Sequence, residues 1–151
     1  YQRSRGLGDV YKRQVVKINN KKINLIDQSY NSNPLSLKSA IKNFDKIKSK
    51  KSNKYLLIGD MLELGSHSKK LHKSIAPIIN QTKIDKVFVK GKMASIIFES
   101  ISKAKKGRIL LNKSQIIELI RKDLNNNDYL MIKASLATGF NDIVKDLKGL
   151  H

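Results

Sequence analysis

From Pro34 onward, short apolar runs of strand length alternate with longer stretches whose apolar residues recur at helical spacing. Leu37, Ala40, Ile41, Phe44 and Ile47 mark a first helix, and residues 55–58 form the strand after it. A second helix is expected over residues 66–81, with Leu71, Ile75, Ile78 and Ile79 on one face. Pro77 lies inside it and predicts a kink, because proline removes a backbone hydrogen bond. Residues 87–89 make the next strand, broken by Gly91. Met93, Ile96, Ile97, Ile101 and Ala104 mark a third helix, and residues 108–111 a short strand. Asn112 and Gln115 are spaced as a capping box, opening a helix that buries Ile116, Ile117, Ile120 and Leu124. After a polar turn at 125–128, residues 129–132 are uniformly apolar, as in a strand buried on both faces. Phe140, Ile143, Val144 and Leu147 define the last helix. Such a series implies right-handed crossovers and an α/β fold, a mainly parallel sheet flanked by helices.

Ahead of the series, two β-rich runs at 15–18 and 23–26 surround Asn19, Asn20, Lys21 and Lys22. Asparagine tolerates left-handed turn conformations, so an N-terminal β-hairpin is expected. Its second strand runs into Asp27-Gln28-Ser29-Tyr30-Asn31-Ser32-Asn33-Pro34. Asn33 can cap the following helix, and Pro34 suits a first turn that needs no amide hydrogen. The loop therefore stands at the carboxyl end of a strand, facing a helix N-terminus, where open α/β sheets bind ligands.

A chain of 151 residues is one domain's worth. It has no cysteine, which excludes disulfides and thiolate zinc sites and fits a cytoplasmic location. No apolar run approaches the roughly 18 residues of a membrane span. The formal net charge of +19 raises nucleic acid as a partner. Against it, only two of the five arginines, Arg108 and Arg121, lie beyond residue 14, and the lysines are scattered over helix faces. Base and phosphate readers favour arginine's bidentate fork, so a solvated basic surface is the reading adopted, with a basic nucleic-acid-binding protein as an alternative. Residues 1–14 read unlike the rest, and Asp9-Val10-Tyr11-Lys12-Arg13-Gln14 resembles a translated sequencing adapter. They are expected to be a non-native head, with residues 15–151 the domain proper.

Three polar clusters fall at expected strand ends. In the first, Asp27 can accept hydrogen bonds from ribose hydroxyls, Tyr30 offers a stacking face, and Asn31 and Asn33 carry donors and acceptors. The same residues can instead build a turn and cap a helix, and the pattern alone leaves both readings open. In the second, Gly59 permits a sharp turn, while Asp60 and Glu63 add negative charge. The cluster has too few ligands for a metal, and the spacing of His67 and His72 excludes a His-x₃-His zinc pair. Its expected job is to shape the rim, with His72 a satisfied polar group. In the third, Lys133 emerges from a buried strand and Ser135 precedes the last helix, a setting that suits a carboxylate or phosphate. The other reading makes Lys133 an ordinary strand-end charge.

These clusters carry a family resemblance. The first resembles the Asp-Asp-Ser-Tyr-Asn-Ala-Asn-Pro signature of MurF-type Mur ligases, with Gln28 for the second Asp and Ser32 for the Ala. Ile58-Gly59-Asp60-Met61-Leu62-Glu63-Leu64-Gly65, followed by His72, resembles the family's Gly-Asp-Met-x-Glu-Leu-Gly…His segment. Ile132-Lys133-Ala134-Ser135 resembles its Lys-Gly-Ser segment, with Ala134 for the glycine and Leu136 where arginine often follows.

The resemblance covers residues 15–151 and implies the family's C-terminal domain, Rossmann-like in fold. It implies an ATP-dependent, Mg²⁺-assisted ligase that joins D-alanyl-D-alanine to UDP-N-acetylmuramoyl-tripeptide in peptidoglycan synthesis. Asp27, Tyr30, Asn31 and Asn33 would meet the nucleotide, though Asn33 suits a cap better. Lys133 and Ser135 would contact the dipeptide or the reaction centre, and Gly59, Asp60, Glu63 and His72 would shape the rim. No Gly-x-x-x-x-Gly-Lys-Ser/Thr loop is present, so ATP and Mg²⁺ would be held mainly by a missing central domain, and the sugar by a missing N-terminal one. No ligase activity is expected of the fragment alone. A stand-alone Rossmann-like nucleotide-binding module is the other alternative.

Overall fold

A computed structural model describes residues 13–18 and 20–149. The head expected at 1–14 thus lies outside the described residues, save Arg13 and Gln14, which open the first strand. Strands β1 (Arg13–Ile18) and β2 (Lys21–Gln28) form the expected hairpin, with Asn20 in the left-handed region at φ 67°. Helix α1 (Pro34–Asp45) leads to β3 (Lys54–Gly59), then α2 (Ser68–Lys73), α3 (Ile75–Asn80) and β4 (Lys86–Lys90). Helix α4 (Ala94–Ser100), β5 (Lys106–Ile109), α5 (Lys113–Glu118), β6 (Tyr129–Lys133) and α6 (Phe140–Lys148) complete the series. The sheet runs β1-β2-β6-β3-β4-β5, and every pairing except β1 with β2 is parallel.

Strand side chains alternate between two cores. Tyr55, Leu57, Phe88, Leu130 and Ile132 face α5 and α6, where Ile116, Leu119, Phe140, Val144 and Leu147 meet them. Leu56, Ile58, Val87, Val89 and Met131 face the other side, against Leu37, Ile41 and Phe44 of α1, Ile75 and Ile79 of α3, and Ile97 of α4. Both faces are covered, which explains why β3 and β6 read as near-continuous apolar runs.

Several lysines serve the backbone. Lys54, 5 % exposed, donates to the carbonyls of Asp45 (2.6 Å) and Ile47 (2.9 Å) where α1 ends. Lys105 donates to Thr82 and Ile84, Lys86 to Ala104, and Lys21 to Leu124. Each meets a carbonyl that a helix end or turn leaves without a helical partner. Part of the basic composition is therefore structural.

Four expectations need correction in detail. The helix expected over 66–81 is a 3₁₀ turn (Gly65–His67) followed by α2 and α3, broken at Ser74. The missing amide of Pro77 makes that break cheap. Its buried stripe is His72, Ile75, Ala76 and Ile79, while Leu71 is only half-buried. Ala104 lies beyond α4, exposed in a 3₁₀ turn (Lys103–Lys105). After α5 the chain widens into a π-helical turn (Leu119–Asp123), and the buried stripe is Ile116, Leu119, Ile120 and Leu124, with Ile117 only partly buried. Finally, β5 starts at Lys106, two residues early, and forms one edge of the sheet, with Arg108 and Ile109 exposed.

Candidate functional site

The return of the chain from β5 to β6 crosses the sheet and inserts β6 between β2 and β3. Lys133 thereby pairs with Gln28 on one side and Ile58 on the other. The three loops that follow β2, β6 and β3 stand side by side on the carboxyl rim, with the β6 loop in the centre. This is the switch point at which open α/β sheets bind ligands.

In the β2 loop, the Oδ1 of Asp27 accepts from the backbone N–H of Ser29 (3.0 Å) and from its hydroxyl (2.6 Å). Its Oδ2 lies 3.4 Å from Nζ of Lys148, at the end of α6. A carboxylate has about four acceptor positions, so Asp27 keeps capacity for a further donor. Tyr30 is 55 % exposed and presents its ring to solvent. Asn33 is the N-cap of α1: its Oδ1 accepts from Ser36 N–H (2.9 Å), and Ser36 Oγ accepts from Asn33 N–H (3.0 Å). That reciprocal box supports the capping reading of Asn33.

The β3 loop is built around Asp60. Its Oδ1 accepts from Ala94 N–H (2.7 Å), the first amide of α4. Gly91 makes room for this carboxylate, and its own φ of +129° belongs to glycine. Glu63 sits exposed at φ 62°. His72 is fully buried below the loop. Met61 N–H donates to its Nε2 (3.0 Å), so Nδ1 carries the proton given to the Ser68 carbonyl (2.8 Å). Asp60 and His72 thus hold backbone amides of Ala94 and Met61 in place.

At the centre, Lys133 is 3 % exposed and donates to the carbonyl of Asn31 (2.6 Å). Burial pulls its pKa from 10.5 down to about 8. The hydroxyl of Ser135 donates to the Ser32 carbonyl (3.2 Å) and accepts from Leu62 N–H (3.0 Å). Ala134 adopts no positive φ, so its backbone does not need the glycine that the motif carries.

A cleft of about 540 Å³ lies over these loops, lined by Tyr30, Asn31, Ser32, Asn33, Leu62, Glu63, Leu64, Ser135, Leu136 and Ala137. Tyr30, Asn31, Asn33, Glu63 and Ser135 therefore share one cavity, while Asp27, Gly59, Asp60, His72 and Lys133 lie outside its lining. Ser32 is buried, and its hydroxyl has no hydrogen-bond partner among the described residues. Sequence reasoning missed Ser29, Ser32 and Lys148. The first two lie inside the motif, but nothing local marks Lys148, which stands 121 positions from Asp27. Among the described residues, no group of three or more His, Cys, Asp or Glu side chains could hold a metal ion. No helix among them is long and apolar enough to cross a membrane.

The family model described as "Mur ligase, glutamate ligase domain" matches residues 13–136. The UDP-N-acetylmuramoyl-tripeptide–D-alanyl-D-alanine ligase of Bacillus subtilis (strain 168) is 33 % identical over 128 residues, 83 % of this chain and 28 % of that protein. The protein of the same name from Buchnera aphidicola subsp. Acyrthosiphon pisum is 34 % identical over 125 residues, 82 % of this chain and 26 % of its own length. The chain thus spans little more than a quarter of these relatives. The crystal structure of MurF ligase from Thermotoga maritima in complex with ADP is similar in fold, with a TM-score of 0.71 at 21 % identity over 90 % of this chain and 30 % of that one. By family match and fold, the chain belongs to the Mur ligases and carries their glutamate ligase domain.

Proposed function

We propose that the chain is the C-terminal domain of an ATP-dependent amide ligase that adds D-alanyl-D-alanine to UDP-N-acetylmuramoyl-tripeptide in peptidoglycan synthesis. The observation that carries this reading is the rim. Three separate stretches that resemble the ligase motifs meet around one cleft at the sheet's switch point. The names of the relatives supply the substrates.

In this reading the cleft receives the nucleotide. Tyr30 stacks on a planar base, Asp27 and Asn31 pair with polar groups of the ribose side, and Asn33 holds α1 in place. Lys133 and Ser135 stand at the centre of the rim that the dipeptide approaches. ATP supplies the phosphoryl group that activates the peptide carboxylate for attack by the dipeptide amine, with Mg²⁺ offsetting phosphate charge. The residues that cradle triphosphate and metal belong to a central domain preceding this chain, and the UDP-sugar to an N-terminal one. Closure of the C-terminal domain excludes water and aligns the amine. The enzyme works in the cytoplasm, without membrane or nucleic acid as a partner. Residues 1–14 are a non-native head, whose last two residues extend β1.

The test begins with the source DNA, sequenced upstream of residue 15. The rejoined enzyme is expected to release phosphate only when ATP, UDP-N-acetylmuramoyl-tripeptide and D-alanyl-D-alanine are all present. Equal turnover without the dipeptide, or with a different amino acid, contradicts the reading. The 151-residue chain alone is expected to form no amide and to bind ATP weakly at most. Micromolar ATP affinity by calorimetry contradicts that expectation.

A further inference from the structure

We propose that Lys133 and Ser135 are positioning residues, forming a clasp at the end of β6 that sets the β2 loop and couples it to the β3 loop. The two side chains grip consecutive carbonyls. Lys133 Nζ donates to Asn31 at 2.6 Å and Ser135 Oγ donates to Ser32 at 3.2 Å. The hydroxyl's lone pair then takes Leu62 N–H at 3.0 Å, so one oxygen bridges two loops that are about thirty residues apart in sequence. Backbone adds a further stitch, from Ser135 N–H to the Asp60 carbonyl at 3.4 Å.

Burial decides what Lys133 can do. At 3 % exposure, its ammonium faces the loop and not the solvent where a dipeptide would arrive. It makes no ion pair within 4.0 Å among the described residues, so its charge is directed onto the Asn31 carbonyl. A buried donor that meets one carbonyl orients the segment bearing it. That carbonyl's peptide joins Asn31 to Ser32, with Tyr30 the next residue back, and these line the cleft together with Leu62 and Glu63 of the β3 loop. Occupancy on one wall is therefore transmitted to the other through Ser135. The consequence for ATP rests on the ligase reading, whereas the clasp itself does not.

Amide exchange on the 151-residue chain tests the clasp directly. Lys133→Met is expected to speed exchange of the Ser29 and Asn33 amides about tenfold, leaving the β3 core amides protected. Ser135→Ala is expected to speed those two and Leu62 together. Ser135→Thr, which keeps the hydroxyl, is expected to restore protection. Unchanged exchange at all three amides in a folded Ser135→Ala variant overturns the proposal, as does loosening of Leu62 alone. In the rejoined enzyme, Ser135→Ala is expected to raise KM for ATP about tenfold with a smaller change in kcat. Loosened loops with an unchanged KM for ATP keep the clasp and count against the assignment of the nucleotide to this cleft.

Discussion

A β-carbon on Gly59 would lie 2.8 Å from Cβ of Ala134, and 3.0 Å from the ring of Phe140. The two strands that carry the rim's central loops therefore approach as closely as their side chains allow. Ala134 fills the space that Gly59 leaves, with no positive φ of its own. The exchange of a motif glycine for alanine at 134 is thus accommodated by packing.

Gly59→Ala overpacks this contact. Forced insertion of a methyl group into a packed interior typically costs about 1–3 kcal/mol. Urea unfolding should show that loss. Ala134→Gly should instead cost about 0.5–1 kcal/mol, through chain entropy. A neutral Gly59→Ala variant would show that the strands can separate.

Lys54 closes the end of α1 from the next strand, and a methionine there cannot donate. Lys54→Met leaves the carbonyls of Asp45 and Ile47 without this partner. A loss of about 2 kcal/mol is expected, since buried acceptors left unsatisfied cost on the order of 1–3 kcal/mol. Equilibrium denaturation at neutral pH measures it.

The buried Lys133 makes stability depend on pH in a definite direction. Its pKa falls from 10.5 to about 8 on folding. Below that value both folded and unfolded chains hold the proton, and the folded state bears the cost of burying the charge. As pH rises between about 8 and 10.5, the folded state releases its proton before the unfolded one, so this residue's contribution to stability increases. Lys133→Met removes the contribution. It also leaves the Asn31 carbonyl without its donor, so the quantity to follow is the pH dependence: relative to the variant, the parent should gain stability as pH rises from about 8 to 10.5. Paired melting curves across that range check the sign, and a pH-independent gap contradicts it.

Asn33 separates capping from nucleotide contact cleanly. Asn33→Ala should cost about 1 kcal/mol, the usual loss of an N-cap. Asn33→Asp keeps the acceptor for Ser36 N–H, loses the amide donor and adds a negative charge that a helix N-terminus favours, so stability should hold. If Asn33→Asp also leaves the ATP dependence of the rejoined enzyme unchanged, the residue is a cap alone. A raised KM for ATP assigns it to the nucleotide as well.

Much of the fold was legible locally. The β-hairpin, the cap at Asn33, the helices at α1 and α6 and the doubly covered strands β3 and β6 all follow from residue type and apolar period. These features depend on neighbours within a few positions. The break at Ser74 and the π-helical turn were not legible, because both leave helical spacing intact: His72, Ile75, Ala76 and Ile79, and Ile116, Leu119 and Ile120, recur as in a continuous helix.

The sequence by itself determined the series of elements and put a polar cluster at the end of three strands. Only the tertiary structure decided that β6 lies between β2 and β3, and so brought the clusters onto one rim. It also decided that Lys133 is spent on Asn31, 102 positions away, and Ser135 on Ser32, 103 positions away. The physical reason is range. Period and capping act over a turn or a strand, whereas strand order and the partners of a buried donor are settled by which faces the whole chain covers together.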